Sequence, residues 1–163
     1  RDPQPPARPG SRWRVEIVPG VGLPFAKVGQ TLPQIEAAVG PATVADASRA
    51  LWDGRSLPFA TYFDDRGRVR VVEVYGVEDV NEQVTLDGVQ LTLRLIDDVE
   101  ADLSRLGRRG RRAGPLVDFP EGFTLWSLGE LFASDLTPGA LFDPSDDRPV
   151  VEGVAIVAQL GRY

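Results

Sequence analysis

Apolar and polar residues change rhythm several times along the chain, and each rhythm predicts an element. Leu32, Ile35, Ala38 and Val39 recur at the spacing of one helix face. Thr31 precedes them as a favoured N-cap, and Gln34 completes the Thr-x-x-Gln form of a capping box. Pro33 falls in the first turn, where its missing N–H is harmless, and Gly40-Pro41 stops the helix. The expected helix runs from about Leu32 to Val39. Val99, Leu103 and Leu106 form a second stripe, with Asp97 as the expected N-cap, Glu100 closing its box and Gly107 ending it. Gly88 stands to Asp97 as Gly22 stands to Thr31, nine positions apart in both. This predicts an internal repeat, with halves at about 13–77 and 83–160.

Strand rhythm fills the rest. Trp13, Val15 and Ile17 alternate with Arg14 and Glu16, a strand ended by Pro19-Gly20. Ala42 to Pro58 reads as a long connection turning at Trp52-Asp53-Gly54. Phe59–Phe63 and Val69–Tyr75 read as a hairpin closed by Asp64-Asp65-Arg66-Gly67. Pairing Phe63 with Arg68 puts Phe59, Phe63, Val72 and Val74 on one face, and Tyr62, Val69, Val71 and Tyr75 on the other. Both faces are partly apolar, so the second must be covered by this chain or by a partner.

Glu78 to Glu82 is an acidic linker; Val84–Leu86 and Leu91–Leu95 read as strand pieces, with Leu91, Leu93 and Leu95 on one face. Val117, Phe119, Phe123 and Leu125 line a second hairpin turned at Pro120-Glu121-Gly122, with Trp126 on the opposite side. Ser134 to Pro149 is an Asp- and Pro-rich loop, and Val150 to Gln159 a final strand with a bulge at Gly153. Arg1 to Ser11 has the composition of a disordered tail. The expected fold is α+β, a single domain over 12–163 made of two pseudo-repeated halves, each a short helix packed on an antiparallel sheet.

Composition narrows the chemistry. A chain of 163 residues buries about two-thirds of its surface and needs no staple. It has no Cys, hence no disulfide or thiolate, and no His, the commonest general base and metal ligand. It also has no Met, which implies processing or trimming and is compatible with a removed signal peptide. No run reaches the length of a membrane span, and a cytoplasmic location is expected. Lys27 is the only lysine, read as codon bias in a GC-rich genome. The net charge of −6 disfavours nonspecific nucleic-acid binding and suits a basic partner.

Arg108, Arg109, Arg111 and Arg112 form the sharpest local cluster. Four guanidinium groups could hold a phosphate, another small ligand or a polyanion. No aromatic is interleaved to stack bases, and charge runs are usually solvated. The acid pairs Asp64-Asp65, Asp97-Asp98 and Asp146-Asp147 are read as turn and cap residues, without a calcium-loop pattern. Gly20-Val21-Gly22 lacks the third glycine and the strand-to-helix setting of a dinucleotide fingerprint. No catalytic residue, metal ligand or cofactor is assigned. Trp52, Tyr62, Tyr75 and Trp126 are the candidate partner-binding residues, since Tyr and Trp dominate binding hot spots. Their alternative role is core packing.

Lys27-Val28-Gly29-Gln30-Thr31, opening a helix that ends in Val39-Gly40-Pro41, resembles the Lys-x-Gly-(Met/Gln)-Thr…Leu-Gly-x-Pro signature of small α+β repeat proteins. The hairpin with Phe63-Asp64-Asp65-Arg66-Gly67-Arg68-Val69 fits the same unit. Such units occur singly in SmpA/OmlA-like outer-membrane assembly lipoproteins. They occur in tandem in proteins resembling the β-lactamase-inhibitor protein and in bacterial proteins that look like toxin-immunity partners. The second half departs, with Leu95-Ile96-Asp97 in place of the Lys-x-Gly-x-Thr run, and the inhibitor's Cys pairs are absent. The resemblance implies a non-enzymatic immunity- or inhibitor-type module whose partner is a protein such as a toxin or an enzyme. It assigns no binding residue.

Overall fold

The computed structural model describes residues 13–55, 57–76, 82–129, 132–133 and 145–158. The expected tail, most of the acidic linker and residues 134–144 of the Asp- and Pro-rich loop lie outside them. The fold is α+β, with two helices and mostly antiparallel sheet among the described residues.

Strand β1 (Trp13–Glu16) pairs in parallel with β8 (Glu82–Leu86), which turns back into β9 (Val89–Gln90). Strands β2 (Gly22–Leu23) and β3 (Ala26–Lys27) form a small hairpin. Gly22 is fixed there by space: a Cβ would lie 2.4 Å from the Ala26 carbonyl oxygen. Helix α1 (Leu32–Val39) matches its expected bounds, and Gln34 Oε1 accepts the Thr31 N–H at 2.9 Å. Ile35 is its buried residue; Leu32 and Val39 pack at the edge of the core, while Ala38 faces solvent instead.

The main sheet is built from β4 (Val44–Ala45), β5 (Arg49–Trp52), β6 (Phe59–Phe63), β7 (Val69–Tyr75), β10 (Arg111–Ala113), β11 (Leu116–Phe119), β12 (Phe123–Trp126) and β13 (Gly153–Val157). These eight strands lie in the order β10-β11-β12-β13-β7-β6-β5-β4. The expected connection from Ala42 to Pro58 thus contains two strands, with Trp52 ending β5 rather than starting an exposed turn. Trp52 is buried because it stacks on Phe59, centroids 4.6 Å apart, and its Nε1 donates to the Gly40 carbonyl at 3.0 Å.

The β6–β7 hairpin closes where expected but in another register. Phe59 pairs with Val74, Thr61 with Val72 and Tyr62 with Val71, and a bulge between Tyr62 and Phe63 brings Phe63 opposite Val69. The extra residue moves Val69 off the outer face and into the core, where it is 2% exposed. Asp64 pins the turn by accepting the Arg66 and Arg68 N–H groups at 2.9 and 3.0 Å. Those bonds, the Arg68 one foremost, hold its carboxyl below the usual range. A depressed folded pKa stabilises above the unfolded value of 3.8, and that gain is lost as pH falls through the folded pKa. Asp64→Asn should therefore lower Tm at neutral pH, with the gap to wild type closing on acidification below that value. A pH-independent gap would contradict this.

Helix α2 (Ile96–Arg105) starts before its expected cap. Its N-cap is Leu95, which makes a bridge to Val150, and the Ile96 N–H bonds the Pro149 carbonyl at 3.0 Å. Tertiary hydrogen bonds thus place the helix start, and Asp97 and Asp98 lie in the first turn facing the helix dipole. Leu106 is the C-cap and is 52% exposed, so it leaves the apolar stripe. Leu91–Leu95 is not a strand. Leu93 sits at φ 58°, and the segment is held by Leu93 N–H to Val151 and Val151 N–H to Arg94. Gly153 forms no bulge: it pairs regularly with Tyr75 on one side and Trp126 on the other.

One hydrophobic cluster joins these elements. Ile35 of α1 and Ile96, Val99 and Leu103 of α2 pack with Phe59, Val72, Val74, Val117, Phe123, Leu125, Val154 and Ile156. Both helices therefore bury their residues on one face of the large sheet, and the alternate positions of β5–β7 and β11–β13 form its other face.

Candidate functional site

The outer face is built from the sheet alternation alone. In the central strands β7 and β13 it carries Val71, Glu73, Tyr75, Gly153, Ala155 and Val157. Strand β6 adds Ala60 and Tyr62, and β12 adds Thr124 and Trp126. Val71, Glu73, Tyr75, Tyr62, Trp126, Ala155 and Val157 are all half-buried.

Three of the four aromatic candidates meet here. Tyr75 and Trp126 form an edge-to-face pair with centroids 5.8 Å apart and planes at 74°. The Tyr75 hydroxyl donates to Glu73 Oε1 at 2.6 Å, and the Tyr62 hydroxyl donates to the same oxygen at 3.3 Å. Burial, and then the Glu73 carboxylate, push the Tyr75 phenol far above its ordinary pKa, so it stays a donor. The Trp126 indole lies on Gly153: a Cβ there would be 2.1 Å from its ring. Trp126 Nε1 is buried with no hydrogen-bond partner among the described residues, an uncommon cost for an indole. Trp52, the fourth candidate, is 3% exposed in the core and is not part of this face. Glu73 is the residue that sequence reading passed over. Its signal was present, as the one acid in the apolar run Val69–Tyr75.

The arginine cluster divides. Arg108 pairs with Asp87 at 2.8 Å and Glu121 at 3.1 Å, and Arg112 pairs with Asp97 and Glu100. Arg111 and Arg112 lie on the edge strand β10 rather than in a loop. Arg109 and Arg111 are exposed and form no ion pair among the described residues. Both line a cavity of about 650 Å³ together with Phe119, Phe123 and Val157. One acid of each pair has a partner within the chain: Asp64 in its turn, Asp97 with Arg112, Asp146 with Arg148. Glu152 is a buried acid that binds its own chain, accepting the Ser127 hydroxyl and the Leu128 and Gly129 N–H groups. Among the described residues no cluster of acids could hold a metal ion, and no helix is long and apolar enough to cross a membrane.

No protein-family model, curated protein or solved structure matches this chain.

Proposed function

We propose that this chain is a non-enzymatic protein-binding module, of the immunity or inhibitor kind, that covers a protein partner with the outer face of its large sheet. The observation that carries the reading is the cluster of Tyr62, Tyr75 and Trp126 around Glu73 on a face opposite both helices. Half-buried aromatics with a polar tip are the residues that bind strongly when a partner excludes water. The net charge of −6 suits a more basic partner, met in the cytoplasm.

The same proposal takes the chain as two pseudo-repeated halves. In support, β4 to β7 run inward from one sheet edge as β10 to β13 run inward from the other. A short hairpin precedes each helix, and the residue before each helix bridges near the start of the central strand, Thr31 to Arg68 and Leu95 to Val150. This fits the resemblance to tandem α+β repeat proteins.

The test is capture of a partner from lysate of the source cells, with Tyr62→Ala/Tyr75→Ala in parallel. A stoichiometric protein lost from the double variant, which should weaken binding by about 2 kcal/mol or more, is the expected result. A partner retained at full strength overturns the reading.

A second reading, binding of a polyanion or small anion through the arginine region, has one specific observation in its favour: Arg109 and Arg111 form no ion pair among the described residues and line a cavity with Phe119, Phe123 and Val157. Arg109→Ser/Arg111→Ser should then abolish a salt-dependent association with heparin or inorganic polyphosphate. Arg108→Ser, which breaks two internal ion pairs, should not.

A further inference from the structure

We infer that Glu73, framed by Tyr62, Tyr75 and Trp126, is the seat for a basic side chain, arginine or lysine, presented by the protein partner. This rests on the proposed sheet-face function and names the chemistry at its centre.

The seat follows from sheet register. Glu73 lies in β7, one of the two central strands, with Ala60 paired to it on one side and Ala155 on the other. Both cross-strand neighbours of the carboxylate are short, with Ala155 half-buried and Ala60 2% exposed. Larger side chains stand around it: Tyr62 pairs with Val71 and Tyr75 with Gly153, and Trp126 lies over that glycine. Glu73 thus stands half-buried among these side chains, in hydrogen-bond contact with both tyrosines and with Tyr75 edge-on to Trp126.

The electrostatics favour a cation. The two tyrosine hydroxyls both donate to Glu73 Oε1, and Oε2 accepts no hydrogen bond among the described residues. None of the ion pairs among the described residues includes Glu73. A half-buried carboxylate loses hydration, Glu73 gains no countercharge from the described residues, and a cation delivered by a partner corrects both deficits. Tyr and Trp rings attract a cation within about 6 Å of their centroids, and a guanidinium adds a planar fork for the carboxylate. An acidic side chain would meet Glu73 as a like charge, so the same site also rejects partners that place an acid here.

The experiment uses the full chain labelled with ¹⁵N. The Trp126 indole resonance is assigned by its loss in Trp126→Phe, and the protein is titrated with N-acetyl-arginine amide. A saturable shift of that resonance is expected, with no shift on titration of N-acetyl-glutamate amide. Glu73→Gln keeps an oxygen to accept the tyrosine hydroxyls but removes the charge, and should weaken the arginine effect at least tenfold. No arginine-induced shift, or an equal shift in Glu73→Gln, overturns the inference. Partner capture separates this from the wider reading. A partner lost from Tyr62→Ala/Tyr75→Ala but held fully by Glu73→Gln leaves the sheet face standing and removes the cation seat. A partner held by both variants removes the two together.

Discussion

Phe59→Ala is expected to destabilise the fold by about 3–5 kcal/mol, lowering Tm by roughly 10–15 °C in a chain of this size. Phe59 is fully buried. Its ring stacks on Trp52, tilts against Phe25 at 5.1 Å and lies beneath the Arg55 guanidinium at 5.4 Å. Truncation therefore leaves a cavity bounded by a large ring that cannot collapse into it without losing the Trp52 bond to the end of α1. Phe25 is only half-buried, and Phe25→Ala should cost clearly less. Equal losses from the two, measured by denaturant unfolding, would show that Phe59 is not the centre of this packing.

Gly153→Val is the second large effect, and it acts on both the fold and the site. The added Cβ would lie 2.1 Å from the Trp126 ring, a separation that real Cβ atoms essentially never show. Either the strand shifts or the indole leaves its seat. Forced overpacking of this kind costs about 1–3 kcal/mol. An expelled Trp126 would also break the edge pair with Tyr75, so partner binding should fall together with stability. Trp126→Ala/Gly153→Val removes the clash and should recover most of the stability while binding stays lost. Binding that survives in both variants would show that Trp126 takes no part in recognition.

The features that could be read from the sequence are those set by near neighbours in the chain. Helix α1 has its cap, its Gln34 reach-back and its Gly40 stop within ten residues, and it forms as expected. The turns at Asp64–Gly67 and Pro120–Gly122 and the buried face of Val117, Phe119, Phe123 and Leu125 follow from local chemistry in the same way. What escaped was fixed at a distance. Helix α2 begins where Leu95 meets Val150, which no capping rule contains. The alternation of Leu91, Leu93 and Leu95 imitates a strand, yet bonds to Arg94 and from Leu93 tie that segment to Val151.

The candidate site shows the same division. Tyr62, Tyr75 and Trp126 could be placed on outward-facing positions by alternation, and they lie there together. Trp52 takes the alternative role of core packing, and its place could not be read because β5 is short and hidden in an apparent connection. Glu73 needed the β6–β7 register, and the Tyr62/Phe63 bulge that shifts it leaves only the weak sequence signal of one extra residue.

The most direct test of the sheet face is site-specific photo-crosslinking in lysate of the source cells. A benzophenone side chain is placed in turn at Val71 and Ala155 on the outer face, and at Ala37 and Ala101, which are exposed on the two helices. The proposed function predicts a discrete adduct with a second protein from Val71 and Ala155, and none from the helix positions. Adducts from Ala37 or Ala101 with none from the outer face would contradict it.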